Sequence, residues 1–198
     1  IRTLRRHIGE TGTPRSAILK AMREELASGY RAAGLWQERV GGGLGLEALL
    51  LDALKHRMEN AVDALFGLTG ALHGADWVEV ALSRYRSGSA RVQADAVEVL
   101  DVLSKDVEAR EMLLYLDLST PDAKARHARE FLDLPAKRSF TEAVFLSGDR
   151  YLSLCLIRAG LPAGVEPAQS LVDEVKEMDE QFERVLLLKS VPLFKELS

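Results

Sequence analysis

The side chains best suited to chemistry in this sequence are its four histidines and its one cysteine. His56 and Glu59 are three residues apart, so on a helix they would share one face and could supply two metal ligands. No third or fourth ligand follows at a suitable spacing, and the sequence therefore favours a pair of surface polar residues. Cys155 lies among apolar residues at helical spacing, which indicates a buried, unreactive thiol rather than a nucleophile.

The other histidines fit structural or surface positions. His73 precedes a glycine, and we expect it to interact with the C-terminal end of its helix. His7 and His127 lie among arginines, which is typical of a solvated basic surface. Trp36 and Trp77 fall on helical apolar stripes and are predicted to be packing anchors.

Two further patterns resemble binding motifs but lack the context that the chemistry needs. Gly43–Ala48 satisfies G-x-G-x-x-A, yet a dinucleotide loop must follow a buried strand, and here a long predicted helix precedes it. The acidic run Asp173–Glu183 spreads its charges round a predicted helix, which favours a solvated face over a calcium site. We therefore predict no catalytic residue, no metal ligand and no cofactor, and a protein that is not an enzyme.

Composition limits the class of protein. The chain has 198 residues, of which 47% are hydrophobic and 28% charged, as in an ordinary folded domain. Its net charge of -4 argues against a nucleic-acid partner. The longest stretch without Asp, Glu, Lys or Arg is the 12 residues Ala64–Ala75, too short for a membrane span of about 20 residues.

The elements that must position these residues are predicted to be helices throughout. Apolar residues recur with a helical period from Thr13 onward, and no segment shows strand alternation. Pro14 begins a long helix that reaches about Val40. Its apolar residues are predicted to share one face: Ile18, Leu19, Met22, Leu26, Tyr30 and Ala33. A second long helix covers about Leu46–Leu72. Shorter helices are predicted at 77–86, with Asp76 as the expected N-cap, and at 89–103, 109–116, 121–134, 141–146 and 149–159. A final long helix is predicted at 168–189.

An internal repeat predicts how the helices are arranged. The segment AVEVLDVL (Ala96–Leu103) recurs as AREFLDL (Ala128–Leu134), 32 residues later, each time on the second helix of a helix–turn–helix pair. Such a pair cannot bury its apolar face alone and must stack on its neighbours. The sequence thus predicts an all-α fold, an α-α superhelix of stacked helix pairs like a HEAT or armadillo solenoid.

Two segments, Leu54–Asp101 and Ser147–Gly160, resemble the HEAT-like helical region of certain bacterial multidomain proteins. In that family a membrane carrier of the major-facilitator or ATP/ADP-translocase type precedes the helical region, and a cyclic-nucleotide-binding domain follows it. The matching residues are the A-x-E-x-L-D core, Ala96, Glu98, Leu100 and Asp101, and a later helix pattern, Asp149, Tyr151, Leu152, Cys155 and Gly160.

The last segment, Phe182–Ser198, is similar to the start of a cyclic-nucleotide-binding domain, where an apolar helix leads into K/R-S-V-P-L-F, here Lys189–Phe194. This resemblance divides the chain into a helical-repeat domain, residues 1–181, and a C-terminal helix, residues 182–198. The barrel that would hold a nucleotide is not in this sequence, so no nucleotide-binding residue is assigned. An ordinary helix that caps the last repeat explains the segment equally well.

The resemblance implies a non-enzymatic scaffold or linker that couples a membrane carrier to a cyclic-nucleotide sensor, or docks a protein partner. The basic segment Ile1–Arg23 would suit the cytoplasmic face of a membrane, although a solvated basic surface explains it equally well. The chain begins without methionine, and we expect it to be a piece of a longer cytoplasmic or membrane-associated protein. The C-terminal helix could also pair two copies. The alternatives are a free-standing helical-repeat protein-binding module and a helical-repeat enzyme.

Overall fold

The computed structural model of the chain describes residues 14–39, 46–87, 89–101, 106–160 and 167–177. These residues form helices and no strand, which confirms the all-helical prediction. In addition to a helical stretch at 169–177, the helices are α1 (Arg15–Arg39), α2 (Leu46–His73), α3 (Ala75–Tyr85), α4 (Ala90–Asp101), α5 (Val107–Asp117), α6 (Pro121–Phe131), α7 (Phe140–Ser147) and α8 (Arg150–Arg158). No helix in the described ranges is both long and apolar enough to cross a bilayer.

Local sequence explains most of the helix ends. Thr120 caps α6 by accepting a hydrogen bond from the Ala123 amide at 3.2 Å, and Pro121 occupies the first turn. The sequence predicts Asp76 as the N-cap of α3, and this prediction is wrong. Gly74 is the N-cap, and α3 begins at Ala75. Gly74 has a φ of 102°, a conformation that glycine adopts readily, so the chain turns one residue earlier than expected.

The helix predicted at 121–134 is also shorter than expected. The α6 helix stops at Phe131, and Asp133 follows with a φ of 50°. The Leu134 amide then donates to the Arg129 carbonyl at 2.9 Å, which satisfies one of the last carbonyls of the helix. Pro135 comes next and cannot continue the helix.

The chain divides into two compact units, of which the first ends at Phe140. Within this unit α1 packs most extensively against α2 and α6 and also contacts α5. Of the predicted stripe of α1, Leu19 is partly buried. The other residues of the stripe are buried: Ile18, Met22, Leu26, Tyr30 and Ala33. Ala32 and Leu35 on other sides of α1 are buried as well, because α1 has neighbours on more than one side.

The second unit begins at Thr141. Asp149 caps α8 by accepting from the Leu152 amide at 3.1 Å, and Gly160, with a φ of 65°, follows the helix. Arg150 binds both carboxylate oxygens of Glu174, at 2.7 and 3.1 Å, so the helical residues 169–177 are tied to the start of α8. The boundary predicted between 181 and 182 lies outside the described residues.

Candidate functional site

A groove of about 550 Å³ opens along one face of α2 in the first unit. Five α2 residues line it, at positions i, i+3, i+4, i+7 and i+8 of the helix, so they share that face. The end of α3, one residue of α4, the turn from α5 to α6 and the start of α6 supply the rest. The lining residues are Lys55, Met58, Glu59, Val62, Asp63, Tyr85, Arg86, Gln93, Leu118, Ser119, Pro121 and Lys124. Apolar and charged side chains are mixed, so the groove suits a surface that carries both.

Polar contacts hold the walls of the groove together. The Arg86 guanidinium is paired with the Asp63 carboxylate, which joins the end of α3 to α2. The Tyr85 hydroxyl donates to the Leu116 carbonyl at 3.2 Å and so connects α3 to α5. Burial, reinforced by the negative charge of Asp117, raises the pKa of the Tyr85 phenol, which therefore stays protonated as a donor.

Lys124 is the most unusual residue in this groove because it is a lysine that is only 9% exposed. Its ammonium donates to the Tyr115 and Leu118 carbonyls, at the C-terminal end of α5, and lies 4.0 Å from the centre of the Tyr115 ring. Burial lowers the pKa of Lys124 to about 8, and the charge of Asp117 acts in the opposite direction.

This shift predicts a pH dependence of stability that depends on Lys124. The folded pKa is about 8 and the unfolded value 10.5, so between these pH values the unfolded chain binds more protons and stability rises with pH. Lys124→Met should abolish that rise, because it keeps an apolar side chain of similar length and removes the titrating amine. Urea unfolding at pH 7 and pH 9.5 should show the wild type gaining about 2 kcal/mol relative to Lys124→Met. An equal pH response of the two proteins would contradict the prediction.

A second polar cluster joins α1, α5 and α6 through one carboxylate. Glu111 Oε1 accepts from the Tyr30 hydroxyl at 2.6 Å and lies 2.7 Å from His127 Nε2. Tyr30 is fully buried, and its ring packs against those of Tyr115, His127 and Phe131. Burial, then the bond to Glu111, raises the pKa of Tyr30 well above its usual value, so this hydroxyl acts as a permanent donor.

The Tyr115 side chain fills the space between α1 and α2. Its hydroxyl is buried and has no hydrogen-bond partner among the described residues. The ring fits because α1 has Gly29 at this point: a Cβ there would lie 2.6 Å from the Tyr115 oxygen. Nearby, Arg57 of α2 donates to Ser28 Oγ at 2.8 Å and to Glu25 at 3.0 Å, which ties α2 to α1.

The structure disperses the residues that the sequence singled out. His56 is exposed, with its Nδ1 3.8 Å from Glu59, as expected of a surface pair. His127 differs from the expected solvated position, because it is largely buried against Glu111 and Tyr30. Cys155 is partly buried in α8, and burial, opposed by a hydrogen bond from Tyr151, raises the pKa of its thiol. No group of three or more His, Cys, Asp or Glu is placed to hold a metal ion in the described part of the chain.

The other residues singled out from the sequence are described only in part. His73 is the last residue of α2, where a basic side chain is favourable. Trp36 lies partly buried on α1. Of the acidic run, Asp173 accepts from Gln169 at 2.8 Å, in an exposed position. The described residues do not include His7, Gly43, Gly45, residues 178–183 or the segment 182–198. Trp77 lies in α3, and its side chain is not described.

Lys124 and Glu111 were not singled out from the sequence, and Tyr30 was predicted only as part of the apolar stripe of α1. Lys124 had one usable signal: a lysine just after a Thr-Pro helix start is electrostatically unfavourable unless something negative faces it. Here the carbonyls that end α5 face it. Glu111 and Tyr30 carry no such signal, because their pairing depends on how α1 packs against α5.

Comparison with known proteins was made at three levels: family models, curated proteins and solved structures. No protein-family model, curated protein or solved structure matches this chain.

Proposed function

We propose that this chain is a non-enzymatic helical scaffold that docks a protein partner, or an adjoining domain of the same protein, in the groove over α2. The observation that carries the proposal is the groove itself. It is open to solvent, it is framed by two interhelical turns, and it combines apolar Met58 and Val62 with the charges of Lys55 and Arg86. Protein interfaces have this mixed character, with an apolar centre and a polar rim.

The finer proposal is that the docked surface belongs to a cyclic-nucleotide sensor and that the chain links this sensor to a membrane carrier at the cytoplasmic face. The family resemblance described above supports it. The pattern Asp149–Gly160 forms one helix with its cap and its terminal glycine at the ends, so these residues have a coherent local role. That role is compatible with the family and does not require it.

Superhelical stacking of helix pairs belongs to the same proposal. Burial supports part of the 32-residue repeat, because Ala96 in α4 and Ala128 in α6 are both buried. The match weakens at the next repeat position: Leu100 is buried within α4, whereas Leu132 is the C-cap of α6 and is partly exposed. A free-standing helical-repeat binding module remains the second candidate function, favoured by the same groove.

Hydrogen exchange on the protein that contains this chain tests the coupling. If a sensor domain docks in the groove, saturating cyclic AMP should change protection at residues 55–63 and 118–124. Val62→Arg should abolish that change, because it puts a long charged side chain inside the groove. Val80→Arg is the matched control, since Val80 is 53% exposed on α3 and does not line the groove.

Two outcomes would separate the candidates. Unchanged protection in the groove at saturating nucleotide would refute the coupling and leave the free-standing module. A full-length gene that encodes neither membrane spans nor a nucleotide-binding domain would also refute the coupling and leave the free-standing module.

A further inference from the structure

Lys124 is one of the residues that line the groove of about 550 Å³ over α2, which is open to solvent, and its amine donates to the carbonyl of Leu118, another lining residue. The two carbonyls that it contacts, those of Tyr115 and Leu118, are the only hydrogen-bond acceptors that the structure gives it within the described residues. Asp117 influences the amine through its charge.

The neutral amine can keep both hydrogen bonds that the ammonium makes. A neutral amine has two hydrogens, one for each carbonyl, and its lone pair then needs no donor. Loss of the third proton therefore breaks neither hydrogen bond, while it removes the cost of burying a charge. Consistently, burial lowers the pKa of Lys124 to about 8, so at pH 8 about half of the side chains are neutral.

The charges around the groove indicate which electrophile it would admit. Lys55 and Arg86 line it with positive charge, and Glu59 and Asp63 with negative charge. Asp63 is engaged by Arg86, whose guanidinium is 58% exposed and has further N–H groups to offer. The groove therefore suits a phosphate leaving group better than an uncharged leaving group, because Lys55 and Arg86 can bind the phosphate.

We propose that Lys124 is an acylation site that takes small acyl groups from acyl phosphates. The amine lone pair attacks the acyl carbon, a carbon–nitrogen bond forms, and the bond from that carbon to the phosphate oxygen breaks. Inorganic phosphate leaves, and the amine loses one proton to solvent. The amide that results keeps one N–H, so one of the two carbonyls retains its hydrogen bond and the other loses its donor.

Competitive labelling of the whole chain with isotopically labelled acetyl phosphate tests the site. Mass spectrometry after a short reaction at pH 8 gives the acetylated fraction of each lysine, with Lys20 as the reference because its side chain is 80% exposed on α1. An ordinary lysine is about 0.3% neutral at this pH. Lower basicity also weakens a nucleophile, as it does for thiolates. The expected net result is about tenfold faster acetylation of Lys124 than of Lys20.

The pH profile and one variant make the test specific. The rate at Lys124 should level off above about pH 9, whereas the rate of an ordinary lysine keeps rising to pH 10. Arg86→Gln should slow acetylation of Lys124 by acetyl phosphate but not by uncharged acetylimidazole, which also shows that the variant is folded. Acetylation of Lys124 no faster than that of Lys20 would overturn the site. Equal effects of Arg86→Gln on both donors would overturn the choice of acyl phosphate.

Discussion

Gly34→Ala is expected to lower the free energy of unfolding by about 3 kcal/mol, a large effect for one added methyl group. A Cβ at Gly34 would lie 2.2 to 2.4 Å from three atoms of the Phe140 ring. The ring has no room to retreat, since Phe140 is 1% exposed and its amide donates to Glu38 at 2.8 Å. The Arg129 guanidinium also lies over the ring, 4.9 Å from its centre.

The matched control is Gly67→Ala, in the middle of α2. Among the described residues, and apart from its chain neighbours and the nearby backbone of α2, a Cβ at Gly67 would meet no atom within 4 Å. Only helix propensity therefore changes, and stability should rise by about 1 kcal/mol. Urea unfolding of both variants gives the comparison. Adding Phe140→Leu to Gly34→Ala should recover part of the loss, because the clash is with ring atoms. Equal stability of the two alanine variants would show that Phe140 does not pack on Gly34.

The sequence predicted the helices well because the signals are local. Thr120-Pro121 starts a helix, and an apolar period of 3.6 residues shows which face is buried, as along the α1 stripe from Ile18 to Ala33. Errors occurred where one residue decides an end, as at Gly74, whose positive φ replaces the expected cap by Asp76.

The packing of α1 could not be predicted in the same way. Gly34 appears in the sequence as a weak point of a helix, and only the approach of Phe140 explains its position. The contact of α1 with α6 joins segments far apart in the chain, whereas the repeat argument used contacts between neighbouring pairs. Periodicity reports that a face is buried, and it does not report which helix buries it.

The groove was beyond sequence reasoning for the same reason. Its α2 residues, such as Lys55 and Glu59, look like a solvated helix face when taken alone. They become one wall of a groove only when the turns after α3 and α5 lie beside them. Lys124 belongs to the site because α6 begins where α5 presents its last carbonyls.

Glu111→Ala should destabilise the protein by about 3 kcal/mol, because it removes a shared acceptor and leaves the buried Tyr30 hydroxyl without one. Glu111→Gln should cost about 1 kcal/mol, since its amide oxygen can still accept from Tyr30. Glu130→Ala, an exposed carboxylate on α6, is the control and should change stability by less than about 0.5 kcal/mol. Thermal or urea unfolding at pH 7 measures all three variants.

A double variant distinguishes an unsatisfied hydroxyl from a simple loss of packing. Tyr30→Phe removes the donor, so the Tyr30→Phe, Glu111→Ala protein should be more stable than Glu111→Ala alone. Loss of packing predicts the opposite, because a second deletion would then add to the first. The pH response tests whether the fold keeps the Tyr30 phenol protonated. The raised pKa of Tyr30 means that the unfolded chain loses this proton first, so stability falls as the pH rises above about 10. Tyr30→Phe should make that fall shallower, and an unchanged slope would mean that burial and Glu111 do not hold the Tyr30 phenol in its protonated form.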